Sequence, residues 1–531
     1  MQNSYFSRKF LTKSGVFFDG RDLRPFRSDS GGLHAGRPAC PVCALGNFYY
    51  LCHPYDGGIS QKIRFVGSRF ARGPVARDLV GVQCGTGRLA QLANDEAYYH
   101  CSPNGGVGLF DHPPVTALLV WLGERLFGGE LGVRFFFTVL QPLYLWILWR
   151  LIRPADALRR DAGLFVVLAS TTLMLQIYGF IAVPDGPLLM TSALFLLAFE
   201  RFSERRPRAW LWMGVAMALM AYSKYHGALV VLFSLAANPR LLRRPTLYLS
   251  GAVAALLLVP HLIWQYNHDW ASFVYHLSSR NSVFRFDYVV EFLANMLVVF
   301  NPFFVPLCVQ AWRKVRPQTA AGRALKLLPV AFILFFLLSA FRGYVQPQWV
   351  IVACFGFVAM LFGYVRRHPR TRRYVMRAGG VTLALLVLVR LEMIFNPLGI
   401  RFEVFDNPES YGAIAAEADG RPVVFRHNYA VAAKYRFYTG GEAYCQPNIR
   451  YRTHQWQFRD DDTRFAGREV LVECPARPEP IRPGASGRSV WRTGGVSRGS
   501  SIPISDRSAG SMSPLPGFRS RRPQATRCAW T

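Results

Sequence analysis

Apolar segments about as long as a membrane-spanning helix recur from about residue 115 to residue 397. A helix needs roughly 20 apolar residues to cross the hydrocarbon core of a bilayer. Residues 113–128 instead have the pattern of an amphipathic helix that lies in the membrane interface. The pattern predicts about ten spans, namely 131–149, 162–183, 186–200, 209–223, 227–238, 246–265, 289–312, 327–341, 347–365 and 379–396.

Two neighbouring apolar segments, 209–223 and 227–238, are short for a bilayer. Lipid tolerates an interrupted helix only where protein or water covers the exposed backbone. The two segments therefore predict a broken or re-entrant pair around the loop at 223–227.

Lys and Arg fall in every second loop between the apolar segments. The intervening loops, at 184–187, 223–227, 266–288 and 342–348, carry few of them. The basic clusters are Arg150, Arg153, Arg159 and Arg160; Arg201, Arg205, Arg206 and Arg208; Arg240, Arg243 and Arg244; Arg313, Lys314, Arg316, Arg323 and Lys326; and Arg366, Arg367, Arg370, Arg372, Arg373 and Arg377. The positive-inside rule places these clusters in the cytoplasm. It places residues 91–114 and the chain after 398 on the outer side of a cell (inner) membrane.

The overall composition agrees with a membrane protein. Hydrophobic residues make up 51% of the chain, and the formal net charge is +30. In a soluble protein that charge would suggest a nucleic-acid partner, but here the basic residues lie between spans, so we expect none. Ten cysteines form no framework, and the pair Cys40 and Cys43 lacks a second pair at zinc spacing.

The chain divides into four predicted parts. Residues 1–90 contain no span and no signal peptide, and are predicted to be an atypical segment that is disordered or not native to the fold. Residues 91–397 form the predicted membrane domain. Residues 398–476 predict a small α/β extracytoplasmic domain, and residues 477–531, rich in Ser, Gly, Pro and Arg, predict a disordered tail.

Within the small domain, short β-like runs occur at 422–425 and 469–474. A helical stretch near 429–437 lies between them and ends at Gly440 and Gly441.

Carboxylates that could carry chemistry lie just before the interfacial helix. Asp95 and Glu96 are adjacent in the stretch NDEAYY at 94–99. They predict a general base with a neighbour that orients it, or two solvated loop carboxylates. Asp111 and His112, in the stretch FDHPP, predict polar groups at the membrane face, with Asp111 as a helix cap the alternative.

Two outward cations form a second group of candidates. Lys224 lies in a loop that the positive-inside rule places outside, so this lysine requires an anionic partner. A lipid phosphate would supply that partner, with Tyr225 and His226 as further hydrogen-bond donors. A snorkelling lysine is the alternative. Arg342, beside Tyr344, suits a phosphate or a sugar, or belongs to an interfacial aromatic belt.

Two further loops are less specific. Asp185, in PDGP at 184–187, is a polar candidate or a helix cap in a tight turn. The loop 266–288 adds the polar and aromatic residues His268, Asp269, Trp270, Arg280 and Arg285. Its cations and aromatics would suit a sugar or a polyprenyl phosphate.

These motifs resemble those of the polyprenyl-phosphate-sugar-dependent membrane glycosyltransferases of the C-type superfold. That group includes the protein O-mannosyltransferase-like family, glycosyltransferase family 39, and the related aminoarabinose and galacturonic acid transferases of lipid A. The resemblance covers about residues 91–476. The matching stretches are NDEAYY (94–99), FDHPPVTALLVWLGERLFGG (110–129), PDGPLLM (184–190), MAYSKYHGALVVL (220–232), PHLIWQYNHDWASF (260–273) and NYAVAAKYRFYTGG (428–441).

The resemblance implies a mainly α, polytopic helical membrane fold and transfer of a sugar from a polyprenyl phosphate by inverting displacement. Asp95 would act as base toward the acceptor hydroxyl, with help from Glu96. Lys224 would meet the donor phosphate, with Arg342 a weaker candidate. The acceptor would be an envelope lipid, a glycan or a protein. Asp95 and Glu96 could hold a divalent cation, but the sequence contains no complete ligand set, so we expect no metal or other cofactor.

Two alternatives come from other classes of protein. A transporter or flippase for a lipid-linked sugar would share the broken helices and intramembrane charges, but should show an internal repeat, and none is visible. A non-catalytic assembly protein would not need Asp95, Lys224 and Arg342 on one face.

Overall fold

The computed structural model describes residues 91–100, 110–157, 159–275, 284–400, 405, 407–426, 428–446, 454–458, 465 and 467–473. The predictions for residues 1–90 and 477–531, for Cys40 and Cys43, and for Arg280 lie outside this range.

The described chain is mainly helical, as the apolar pattern predicts. Two 3-10 turns, at Pro239–Arg243 and Pro347–Val350, connect helices of the membrane part. Its α-helices are α1 (Asn94–His100), α2 (Val115–Phe127), α3 (Gly129–Ile152), α4 (Arg159–Ser170), α5 (Leu173–Ile177), α6 (Asp185–Ser203), α7 (Ala209–Ser223), α8 (Gly227–Ala236), α9 (Pro245–Asn267), α10 (Ala271–Val274), α11 (Phe286–Val299), α12 (Val305–Lys314), α13 (Ala320–Ala340), α14 (Ala353–Val365), α15 (Pro369–Phe395), α16 (Asn407–Ala418) and α17 (Tyr429–Thr439).

Within the described residues, four helices are long and apolar enough to cross a membrane, namely α3, α9, α13 and α15. The helices α7, α8 and α14 are apolar but shorter. The predicted break between α7 and α8 is confirmed, because α7 ends at Ser223 and α8 begins at Gly227. Helix α2 matches the segment predicted to be a helix at 113–128.

The prediction of continuous spans at 162–183 and 289–312 is wrong. The first is interrupted at Thr171 and Thr172, where Thr172 is extended. The second is interrupted after Val299, because Asn301 takes a left-handed conformation (φ 60°) and precedes Pro302, which disfavours a helix. The span predicted at 347–365 begins with a 3-10 turn and becomes α14 only at Ala353.

Buried amide side chains satisfy the backbone that the first break exposes. The Gln141 amide donates to the Leu175 carbonyl at 2.7 Å, and the Asn301 amide donates to the Thr171 carbonyl at 3.0 Å. The hydroxyls of Thr171 and Thr172 donate to carbonyls one turn earlier in α4. The exposed carbonyls of this break are thus hydrogen-bonded by protein side chains, as a membrane protein requires.

The loops that carry the basic clusters contact one another. Arg366 pairs with Asp156 at 2.6 Å, and Arg372 pairs with Asp161 at 3.1 Å, which joins the first and last clusters. Arg244 donates to the Phe202 carbonyl at 2.7 Å, which joins the second and third. These contacts pair the first cluster with the last and the second with the third, as expected if the basic loops share one side of the helical bundle.

The C-terminal part contains a three-stranded parallel sheet in the order β2-β1-β3. The strands are β1 (Val423–Phe425), β2 (Ala443–Cys445) and β3 (Leu471–Val472). The sequence predicted β1, β3 and the helix α17, but it missed β2. Helix α17 begins after Asn428, whose side chain accepts from the Ala430 amide, and ends at Gly440 in the left-handed conformation.

This small sheet shares its core with the start of the membrane part. One cluster of buried side chains includes Tyr98 and Tyr99 of α1, Val133 and Phe137 of α3, and Phe425 of β1. Helix α1 is therefore held between the helical bundle and the C-terminal residues.

We predict that Gln141→Met lowers the free energy of unfolding by about 1–3 kcal/mol, because it leaves the buried Leu175 carbonyl without its amide donor. Unfolding in mixed micelles measures the change. The matched control is Gln318→Met, since Gln318 is exposed in a loop of the basic face. Equal stability of the two variants would show that the amide is not needed at the break.

Candidate active site

The acidic motif is fixed by a buried ion pair. Both oxygens of the Glu96 carboxylate accept from the guanidinium of Arg134, one of them from Nε at 2.6 Å. The amides of Ala93 and Ala182 also donate to this carboxylate, each at 2.9 Å. Glu96 and Arg134 are 0% and 1% exposed. Helix α1 is thereby tied to α3 and to the segment before α6.

Asp95, the neighbouring carboxylate, is exposed. Tyr429, at the start of α17, donates a hydrogen bond to its Oδ1 at 3.3 Å. The ring of Tyr429 also packs on Tyr98, with ring centroids 4.5 Å apart. The C-terminal part thus contributes directly to the surroundings of Asp95.

Asp111 lies against the same helix. It is buried, and its Oδ2 accepts from the Tyr98 hydroxyl at 2.6 Å. The same hydroxyl accepts a hydrogen bond from the backbone amide of Gln455 at 2.7 Å. Asp111 is not the cap residue of α2. The cap position is Pro114, which makes no side-chain cap hydrogen bond. His112 is half-buried beside it.

Asp185 and Lys224 form a second buried ion pair. The Lys224 ammonium donates to Asp185 Oδ1 at 2.7 Å, and both residues are under 5% exposed. Asp185 is the first residue of α6 rather than its cap, because the cap position is Pro184. The anionic partner that Lys224 was predicted to require is therefore present within the chain.

Tyr178 lies where these groups converge. Its hydroxyl is within electrostatic reach of Asp185, Asp95 and Tyr344. Asp95 is also within electrostatic reach of Asp185. The structure thus brings together the acidic motif, the segment before α6, the loop of Lys224 and the loop after α13.

Tyr225 and His226 lie on the side of the Lys224 loop that faces α9 and α13. The Tyr225 hydroxyl bonds to His261 Nε2 at 3.0 Å and accepts from the Gln265 amide at 3.1 Å. Burial raises the pKa of Tyr225 to about 12, so its hydroxyl keeps its proton at neutral pH. The ring of His226 packs against Trp349, with centroids 5.3 Å apart.

The loop after α13 contributes an exposed cation and a half-buried phenol. Arg342 is exposed. Burial, together with the charge of Glu291 and a hydrogen bond to it, raises the pKa of Tyr344 to about 12. Within the described residues, no group of three or more His, Cys, Asp and Glu side chains is arranged to hold a metal ion.

Sequence reasoning missed three residues that organise this site, namely Arg134, Tyr178 and Tyr429. Arg134 carried a usable signal, because a lone arginine inside an apolar span is costly and implies a partner. Tyr429 lies in one of the stretches that carry the family resemblance. Tyr178 carried no signal, since it lies in a segment predicted to be a continuous helix.

We predict that Glu96→Gln destabilises the protein by about 3–5 kcal/mol, because it leaves the Arg134 charge buried without its partner. Adding Arg134→Met to this variant should recover much of the loss. Thermal unfolding in detergent measures both. The exposed pair of Arg285 and Asp287 is the control, since its removal should cost less than about 1 kcal/mol. Additive effects of the two substitutions would contradict the ion pair.

Three comparisons with known proteins bear on the fold. Residues 111–264, from Asp111 to Trp264, match the protein family described as dolichyl-phosphate-mannose-protein mannosyltransferase. This stretch includes Asp185 and Lys224. The comparison with curated proteins finds no match.

Two solved structures of ArnT from Cupriavidus metallidurans share the fold. The apo structure is 13% identical, with 75% of this chain and 92% of that chain covered and a TM-score of 0.56. The structure bound to undecaprenyl phosphate is 14% identical, with 72% of this chain and 86% of that chain covered and a TM-score of 0.54. The family match and the shared fold confirm the resemblance that the motifs predict, to the polyprenyl-phosphate-sugar-dependent membrane glycosyltransferases of the C-type superfold.

Proposed function

We propose that this chain is an integral membrane glycosyltransferase. It moves a sugar from a polyprenyl phosphate to an envelope lipid, a glycan or a protein acceptor. The family match and the ArnT-like fold support the reaction class. The similar ArnT structure that binds undecaprenyl phosphate supports a polyprenyl phosphate as the lipid partner.

The observation that carries the proposal is the contrast between Asp95 and the other carboxylates around it. Glu96, Asp111 and Asp185 are all buried and paired with Arg134, Tyr98 and Lys224 respectively. Asp95 is exposed, on a short helix that the buried Glu96 holds in place. An acceptor can therefore reach Asp95, and Glu96 acts as a positioning residue.

The reaction is a single displacement. Asp95 takes the proton of the acceptor hydroxyl while that oxygen attacks the anomeric carbon of the sugar. The bond between the anomeric carbon and the phosphate oxygen breaks, and the polyprenyl phosphate leaves with the electron pair. Attack from the opposite side inverts the anomeric configuration.

The leaving phosphate gains negative charge as this bond breaks, so nearby cations favour the transition state. The Lys224 ammonium has three donors and uses one toward Asp185, which leaves it able to bond to a phosphate oxygen. Arg342 is a further candidate for the phosphate. Asp111, His112, Asp185, Tyr225 and His226 are proposed to shape the pocket for the sugar and its phosphate.

The site is proposed to face the outer side of a cell (inner) membrane. Contacts join the first basic cluster to the last and the second to the third, and the positive-inside rule assigns these loops to the cytoplasm.

The direct test is transfer from a radiolabelled polyprenyl-phosphate sugar in membranes that carry the full chain. We expect Asp95→Asn to lower the rate of transfer by about 100-fold or more, the loss usual for a general base. Donor binding should be retained, because the amide preserves the shape of the side chain.

Asp419→Asn is the matched control, since Asp419 is an exposed carboxylate just after α16 and tolerates the amide in its left-handed conformation. Equal transfer by wild type and Asp95→Asn would remove Asp95 as the base. Movement of the donor across the membrane without transfer by the wild type would favour a flippase.

A further inference from the structure

Within the part of the chain that the structure describes, a buried arginine near the site has no acidic partner. Arg390 lies on α15 and is 8% exposed. Its Nη2 donates to the Gln176 side-chain carbonyl at 3.1 Å, while its Nη1 has no hydrogen-bond partner and no exposed surface. A buried guanidinium that is neither paired with an acid nor fully bonded costs folding free energy, so its retention requires a reason.

Gln176 adds a second donor at the same place. Its side-chain oxygen is occupied by Arg390, but its Nε2 is buried and has no partner. Arg390 and Gln176, hereafter the buried donor pair, thus present two unsatisfied N–H groups beside one uncompensated positive charge. Two such donors with a cation are suited to an oxyanion.

The charge of Arg390 differs from that of its neighbour. The guanidinium groups of Arg390 and Arg134 both lie over the ring of Phe180, 5.3 and 5.7 Å from its centroid. Arg134 is neutralised by Glu96, and Lys224 is neutralised by Asp185. Among these three buried cations, Arg390 is the one whose charge is not balanced by a carboxylate within the described residues.

The position of the pair suits the head of a membrane lipid. Arg390 lies five residues before the end of α15, or roughly 8 Å along the helix axis. That end is opposite to the one where Arg372 contacts Asp161 on the basic face. Gln176 precedes Tyr178 by two residues, and Tyr178 is within electrostatic reach of Asp95.

We infer that the buried donor pair is a phosphate-binding subsite for the polyprenyl phosphate. This inference rests on the proposed function for the identity of the lipid. The guanidinium and the amide of Gln176 each donate to a phosphate oxygen, and the charge of Arg390 balances the charge of the phosphate. Because both donors are covered in this structure, binding includes a local rearrangement of the side chains around them.

The sharpest test is Gln176→Glu. The new carboxylate would pair with Arg390 in place of the ligand, so the variant should unfold at a higher temperature than wild type. Its affinity for a polyprenyl monophosphate should fall on the order of 30-fold or more, the effect of losing a buried charge-assisted contact. Affinity is measured on the purified full chain in nanodiscs with undecaprenyl phosphate.

Gln318→Glu is the matched control, because it makes the same change at an exposed position. Arg390→Gln should also lose affinity without a lower melting temperature, whereas Arg377→Gln, an exposed arginine of the same helix, should keep it. Undecaprenol, which lacks the phosphate, should bind all variants alike. Inorganic phosphate that competes as strongly as the lipid would show a site for free phosphate instead.

Two results would overturn the inference. One is an unchanged affinity for undecaprenyl phosphate in Gln176→Glu. The other is a lower melting temperature of Arg390→Gln together with unchanged binding, which would assign Arg390 to the fold alone. Failure of the proposed function has a different signature, because binding would then be intact while no sugar is transferred by the wild type.

Discussion

The buried ion pair between Glu96 and Arg134 is the interaction on which the rest of the site depends. It joins a helix of seven residues to the first long apolar helix, and a seven-residue helix has little stability of its own. Two guanidinium bonds and two backbone amides repay the cost of removing the carboxylate from water. The adjacent Asp95 is held in an exposed position as a consequence.

The chemistry is concentrated where the helices are interrupted. Tyr178 lies directly after the short helix α5, Lys224 lies between α7 and α8, and Tyr344 lies between α13 and α14. In an unbroken helix the backbone groups hydrogen-bond to one another, so only the side chains around the helix can contact other parts of the chain. A break allows loops from distant parts of the chain to meet, provided that amides such as Gln141 cover the exposed carbonyls.

The sequence was sufficient for the apolar segments, the alternation of charge and the polar motifs, because each depends on residues close together in the chain. The breaks at Thr172 and Asn301 were not predicted, since an average of hydropathy over a window does not respond to one extended residue or to a following proline. The partners of the motifs were not predictable either. Lys224 and Asp185 are 39 positions apart, and Asp95 and Tyr429 are 334 apart, so their pairing depends on how the helices pack.

The dependence of Asp95 on Tyr429 has a consequence for biosynthesis. A membrane protein is made and inserted from its N-terminus, so α1 leaves the ribosome long before α17 does. The surroundings of the carboxylate are completed only when the residues after α15 have been made and have packed on α1. There the Tyr438 hydroxyl also accepts a hydrogen bond from the Leu92 backbone amide at 2.6 Å. A nascent chain with every membrane helix in place therefore still lacks the contacts that the C-terminal residues make around Asp95.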